Sequence, residues 1–177
     1  MSGTALDRWL PEHDLRTRHR RAAPAAPADL WDAAGAVRIR DARTLGRVVR
    51  WRLPDTPGEW TFRELFAREP FVVLEEDETS SVSGLCGRIW TLGRDYPRLA
   101  GPEAFADWSE PGTVRVAFGH WVEAAGDDRS ALVSEARVQA VDRSARIRLR
   151  TLWAVVGAFE RLIGAEPLAL AARRAEG

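Results

Sequence analysis

Two histidines, His19 and His120, are the side chains in this sequence best suited to chemistry. An imidazole titrates near neutral pH and can take or give a proton, as a cyclisation or dehydration would need. His120 belongs to the series Val114, Val116, Phe118, His120, Val122, which alternates with Arg115, Ala117, Gly119, Trp121 and Glu123. Such alternation describes a strand with one apolar face, and His120 falls on that face. His19 falls with His13, Leu15 and Thr17 on one side of an extended segment whose other side carries Asp14, Arg16, Arg18 and Arg20. The simpler account of either residue is a core histidine satisfied by a backbone partner.

Glu135 and Arg137 are two apart on one strand face and could form a buried acid–guanidinium pair that grips a polar group. The alternation puts Glu135 out of phase with Leu132, Ala136 and Val138, which favours an outer-face ion pair with Arg115 or Glu123 across the hairpin, of small energetic value. Arg88, in the glycine-rich run Gly84 to Trp90, reads either way. Trp31, Trp90, Trp121 and Trp153, with Phe118, Val156 and Phe159, could wall an apolar pocket or simply pack a core. Cys86 is the only cysteine, so neither an intrachain disulfide nor a cysteine-based zinc site can form. With no base beside it, Cys86 reads as a small buried hydrophobe. The three histidines are scattered, with no short-spaced pair, and neither a metal nor another cofactor is expected.

Composition narrows the function classes. The 26 basic and 26 acidic residues cancel, which weighs against nucleic-acid binding because that needs positive charge to displace counterions. All 26 basic residues are arginine; without lysine there is no Schiff-base chemistry and no phosphate-binding P-loop. The strongly apolar stretch from Thr151 to Phe159 is too short for a membrane span of roughly 20 residues. The charged start, with Asp7, Arg8, Glu12 and Asp14, does not read as a signal peptide, so a soluble cytoplasmic chain is expected.

The elements that must position these residues are legible in outline. Residues 1–12 read as a loose arm with Trp9 and Leu10 docking on the body, and 13–177 as one domain. A charged edge strand spans His13 to Ala22. A helix opens at Pro27, and a second is expected from Asp41, as N-cap, to about Arg52. Thr61 and Glu64 form a capping box that starts a short helix. Strands follow over 70–76 and 81–91, with Gly84 and Gly87 marking a bulge or a close approach. Residues 92–112 are mostly connection, with a helical turn near Pro102. The strands Thr113 to Glu123 and Ser130 to Val141 make a hairpin around Ala125-Gly126-Asp127-Asp128. The last helix starts at Asp142, shows the stripe Leu149, Leu152, Val156, Phe159, Ile163, and is expected to end or kink at Gly164 and Pro167.

Three stretches carry a family resemblance. They are Arg18-His19 with Ala23-Pro24-Ala25-Ala26-Pro27-Ala28-Asp29-Leu30-Trp31; Gly84-Leu85-Cys86-Gly87-Arg88-Ile89-Trp90; and Leu132-Val133-Ser134-Glu135-Ala136-Arg137-Val138 followed by Asp142, Ala145-Arg146 and Leu152-Trp153. In this order they resemble a bacterial branch of the START-like (SRPBCC, birch-pollen-allergen-like) superfamily, which includes lipid carriers and polyketide cyclases. After Trp153 the chain departs from that branch, with Gly157 and Gly164-Ala165-Glu166-Pro167 in a usually more basic helix end.

The resemblance implies an α+β helix-grip fold: a curved antiparallel sheet wrapped around one long C-terminal helix, with one wet and one buried face. The apolar hairpin face opposed to the apolar stripe of the last helix then points to an internal cavity for a small hydrophobic or aromatic molecule, lipid- or polyketide-like, lined by Trp90, Phe118, Trp153, Val156 and Phe159. Arg88, Glu135 and Arg137 would be its polar contacts. The alternative is a cofactor-independent cyclase or dehydratase with His19 or His120 as general base. A third reading is a scaffold whose hollow is filled by its own tryptophans. The unpaired edge strand permits a homodimer.

Overall fold

The computed structural model describes residues 5–91 and 95–176, the side chains of 52 and 155–163 excepted. The elements run α1 (Ala5–Trp9), β1 (Leu15–Ala23), α2 (Pro27–Gly35), a single 3-10 turn (Ile39–Asp41), α3 (Arg43–Arg52), α4 (Phe62–Phe66) and β2 (Val72–Asp77). They continue with β3 (Ser80–Gly87), α5 (Pro102–Ala106), β4 (Val114–Ala124), β5 (Ser130–Ala140) and α6 (Arg143–Ala175). The strands form one antiparallel sheet in the order β1-β5-β4-β3-β2. Although β1 and β2 are successive strands, they lie on opposite edges. The helices α2, α3 and α4 make the crossing between them.

Local chemistry starts these elements where the sequence suggests. Pro27 occupies the first turn of α2, where a missing N–H costs nothing. Thr61 and Glu64 exchange both bonds of a capping box at α4. The Asp142 carboxylate accepts from the Ala145 N–H at 2.8 Å and from the Gly112 N–H at 2.6 Å, so one side chain starts α6 and pins the loop before β4. These bonds hold the Asp142 carboxyl down at about 2.

Asp41, in contrast, does not cap α3. Its carboxylate takes the Arg38 N–H and the Arg174 guanidinium, and Ala42 stands at the N-cap with no side-chain bond. The orphan amides of α3 turn instead to Glu166 in α6, with Thr44 N at 3.0 Å and Leu45 N at 2.9 Å. A cap supplied from more than a hundred residues away leaves no local signature.

The last helix also differs from expectation. It runs for 33 residues with Pro167 inside it, roughly 50 Å at 1.5 Å per residue. An interior proline costs about 3 kcal/mol in lost bonding and steric conflict. Beyond it Leu168, Ala171 and Ala172 pack on Leu30, Trp31, Val37 and Leu132, and that burial offsets the defect. At the other end Ala145 and Leu149 pack against Val114, Val116, Val138 and Ala140. The helix is thus anchored to the sheet's inner face at both ends.

The outer face is not wet throughout. Residues 5–10 form no loose arm: α1 lies on that face, with Leu6 and Leu10 buried among Leu74, Val82, Cys86, Phe105 and Ala117. Glycines make room for the cover. A Cβ on Gly119 would stand 2.6 Å from Leu6 Cδ1, and one on Gly84 2.6 Å from the Phe105 ring. Gly87, at φ +136°, lets the Asp95 carbonyl close on β3 where a side chain could not fit. Burial raises the Cys86 thiol to about 12 despite Arg115 nearby, so it is a packed hydrophobe.

Candidate functional site

Between the two anchors of α6, the inner face of the sheet borders a hollow. Its lining follows from strand register, which sets inward-facing residues side by side in cross-strand rows. The first row, Leu15, Val138, Val116 and Leu85, is wholly apolar. The second reads Thr17, Ala136, Phe118, Ser83 and Val73. The third reads His19, Ser134, His120, Ser81 and Glu76, one residue from each strand in spatial order.

The second and third rows border the main hollow, of about 350 Å³, together with Trp31, Leu45, Val49 and Phe66 from the helices. Among the described residues, its charged neighbours are Arg63 and Glu76. A smaller lobe of about 290 Å³ lies over the first row, under Leu149, Leu152 and Trp153 of α6. Leu53, Phe71 and Phe118 border both spaces. The Phe71 and Phe118 rings meet edge to face at 5.7 Å and stand between the two spaces.

His120 lies in the main hollow beside the Phe66 ring, with centroids 4.8 Å apart. Burial in this apolar setting pushes its pKa down to about 4, so the ring is neutral near pH 7. Among the described residues neither its nitrogens nor the hydroxyls of Ser81 and Ser134 have a hydrogen-bond partner. His19 also borders the hollow and packs on the backbone of α6. A Cβ on Gly164 would stand 2.3 Å from its Nε2, so the glycine gives the ring its place.

The structure separates the other sequence-derived candidates. Phe118 and Trp153 face the hollow spaces. Trp90 packs instead beside Leu85 and Val114, with the Arg148 guanidinium 6.0 Å from its ring and its buried indole N–H without a partner among the described residues. The side chains of Val156 and Phe159 lie outside the described residues. Arg88 is held beyond the end of β3 by Asp95 at 2.7 Å and Glu110 at 3.6 Å, away from the hollow.

Glu135 and Arg137 depart further from expectation. They form the buried pair, at 2.7 Å, but on the outer face, where no molecule in the hollow can reach them. Glu135 also binds Arg16 at 2.8 Å; Arg137 also binds Asp7 at 2.7 Å and the Leu10 carbonyl at 3.1 Å. Burial alone would raise the Glu135 carboxyl, but hydrogen bonds from Arg16 and Arg137 more than reverse this and hold it low. The pair fastens the N-terminal segment to the sheet.

Residue type alone does not mark Ser134, Ser81 and Glu76 as part of a site. The parity that places Leu132 and Ala136 inward places Ser134 with them, so that signal was present. Glu76 could not be found this way. A bulge between Val73 and Glu75 breaks the alternation: Leu74 packs on the outer face, Glu75 meets Arg8 and Trp9 of α1, and Glu76 returns to the hollow.

No protein-family model matches the chain, and no curated protein matches it in sequence. Solved structures similar to it include a protein from Thermus thermophilus, 12% identical over 91% of this chain and 97% of that one, with a TM-score of 0.35. Another is Ara h 8.0201, 13% identical over 85% and 95%, with a TM-score of 0.31. A third is the Zhui aromatase/cyclase from a Streptomyces species, 17% identical over 90% and 94%, with a TM-score of 0.32. The fold rests on the strand order and the seating of the last helix. By those features the chain has a helix-grip fold, the fold that its sequence resemblance implies.

Proposed function

We propose that this protein binds a small hydrophobic or aromatic molecule between its sheet and α6. The observation that carries this reading is the hollow of about 350 Å³ bordered by apolar side chains from the sheet and from α2, α3, α4 and α6. Preformed concave sites of this size, apolar with a few placed polar groups, are the usual seats of small ligands. The test is a fluorescence titration with aminoanthracene, an uncharged aromatic probe. Saturable binding of one probe per chain supports the reading; emission that never saturates removes it.

The alternative is a cyclase or dehydratase acting on a polyketide-like substrate, with His19 or His120 as general base. In its favour, both rings border the hollow and His120 is neutral at working pH. Against it, a ring whose conjugate acid sits at about 4 is a weak base, far from the pKa near 7 that general-base catalysis favours. Turnover assays on His19→Ala and His120→Ala decide this reading. Unchanged turnover in both variants would strip the histidines of a catalytic role.

A further inference from the structure

The hollow is not uniformly apolar, and its polar groups are not scattered. Along the axis of the strands the inner face changes from the all-apolar first row to the third row, in which every residue carries a hydrogen-bonding side chain. Chain order separates these five, from His19 to Ser134, and the antiparallel register alone sets them in line. At about 4.8 Å between strands, the line crosses the sheet over roughly 19 Å. The bulge in β2 completes it by turning Glu76 to the exposed rim of the hollow.

Hydrogen-bonding groups facing an apolar enclosure are unfavourable unless they find partners. A pure hydrocarbon in the hollow would strip water from the His120 ring and from the Ser81 and Ser134 hydroxyls and return nothing. A molecule with oxygens along one edge would satisfy them. We infer that the row His19, Ser134, His120, Ser81 and Glu76 is a polar subsite that selects an amphipathic ligand. Such a ligand has an apolar body reaching past Phe71 and Phe118 toward Leu149 and Trp153, and hydroxyl or carbonyl groups along the edge that lies over the row.

This inference rests on the binding function proposed above, and one experiment separates the two. Naphthalene, naphthol and dihydroxynaphthalene are matched probes of similar size that differ in hydroxyl count. Their affinities are read by displacement of aminoanthracene, in the wild type and in the Ser81→Ala/Ser134→Ala double variant. Alanine is smaller than serine and adds no bulk to the inner face, so the variant keeps the fold. Its melting temperature checks this, and His120→Phe serves as a second variant.

In the wild type each hydroxyl should raise affinity roughly three- to tenfold, the range of one net hydrogen bond. The double variant should lose most of that gain while its affinity for naphthalene stays within about twofold. Naphthalene binding the wild type as tightly as the diol would overturn the subsite and leave the binding function standing. An equal loss for all three probes in the double variant would do the same. Binding of no probe at all, aminoanthracene included, would overturn both.

Discussion

His120 carries a signature of the hollow that can be measured. In the unfolded chain an imidazole takes its proton near pH 6.5; in the fold, burial lowers that to about 4. Between these values the unfolded chain binds the extra proton, so the fold loses stability as the pH drops from 6.5 toward 4. The loss is complete below the folded value and amounts to up to about 3 kcal/mol. His120→Phe should remove this part of the acid sensitivity and leave the part due to carboxylates. Urea midpoints for both proteins at neutral and acid pH would show it, and parallel losses in the two would refute it. At this scale the sequence was informative wherever face parity suffices, as for His19, Phe118 and His120. It misled for Glu135 and Arg137, whose type suggested a ligand grip although their parity already put them outside. It was silent on Glu76, because a bulge is a property of two paired strands.

Among the elements, α1 and α6 hold the sheet from opposite sides by different means. Contact of α1 with the outer face depends on a missing side chain at Gly119 and on a chain of charges that runs from half-exposed Arg16 through buried Glu135 and Arg137 to half-exposed Asp7. Gly119→Val should therefore push Leu6 out of its seat. Overpacking of this kind costs about 1–3 kcal/mol. Amide exchange over residues 5–10 should accelerate while exchange in β5 and the first turns of α6 stays slow. Unchanged protection over residues 5–10 would mean that the helix is not seated against β4. Element starts were readable because proline, capping boxes and capping aspartate act within a few residues. The cap of α3 by Glu166 and the continuation of α6 through Pro167 were not, since both depend on partners distant in sequence.

For the whole molecule, the alternating strands and the striped last helix were enough to imply an antiparallel sheet with a helix across it. The sequence did not indicate that both faces are covered, because a five-residue helix such as α1 (Ala5–Trp9) has too few residues for a clear periodicity. Among the described helices none is long and apolar enough to cross a membrane. The architecture leaves α6 fixed at its ends, with the graded inner face of the sheet bordering the space between. Ala136 sits near the middle of that face, between Thr17 and Phe118, where its small side chain keeps the hollow open.

Titration of Ala136→Trp with aminoanthracene, beside the wild type, tests most directly whether that space is the binding site. An indole at this position occupies much of the main hollow. At least a tenfold loss of probe affinity, or about 1.4 kcal/mol, is expected in a variant that still unfolds cooperatively. Undiminished binding by a folded Ala136→Trp protein would place the probe elsewhere and show that the space under α6 is not the binding site.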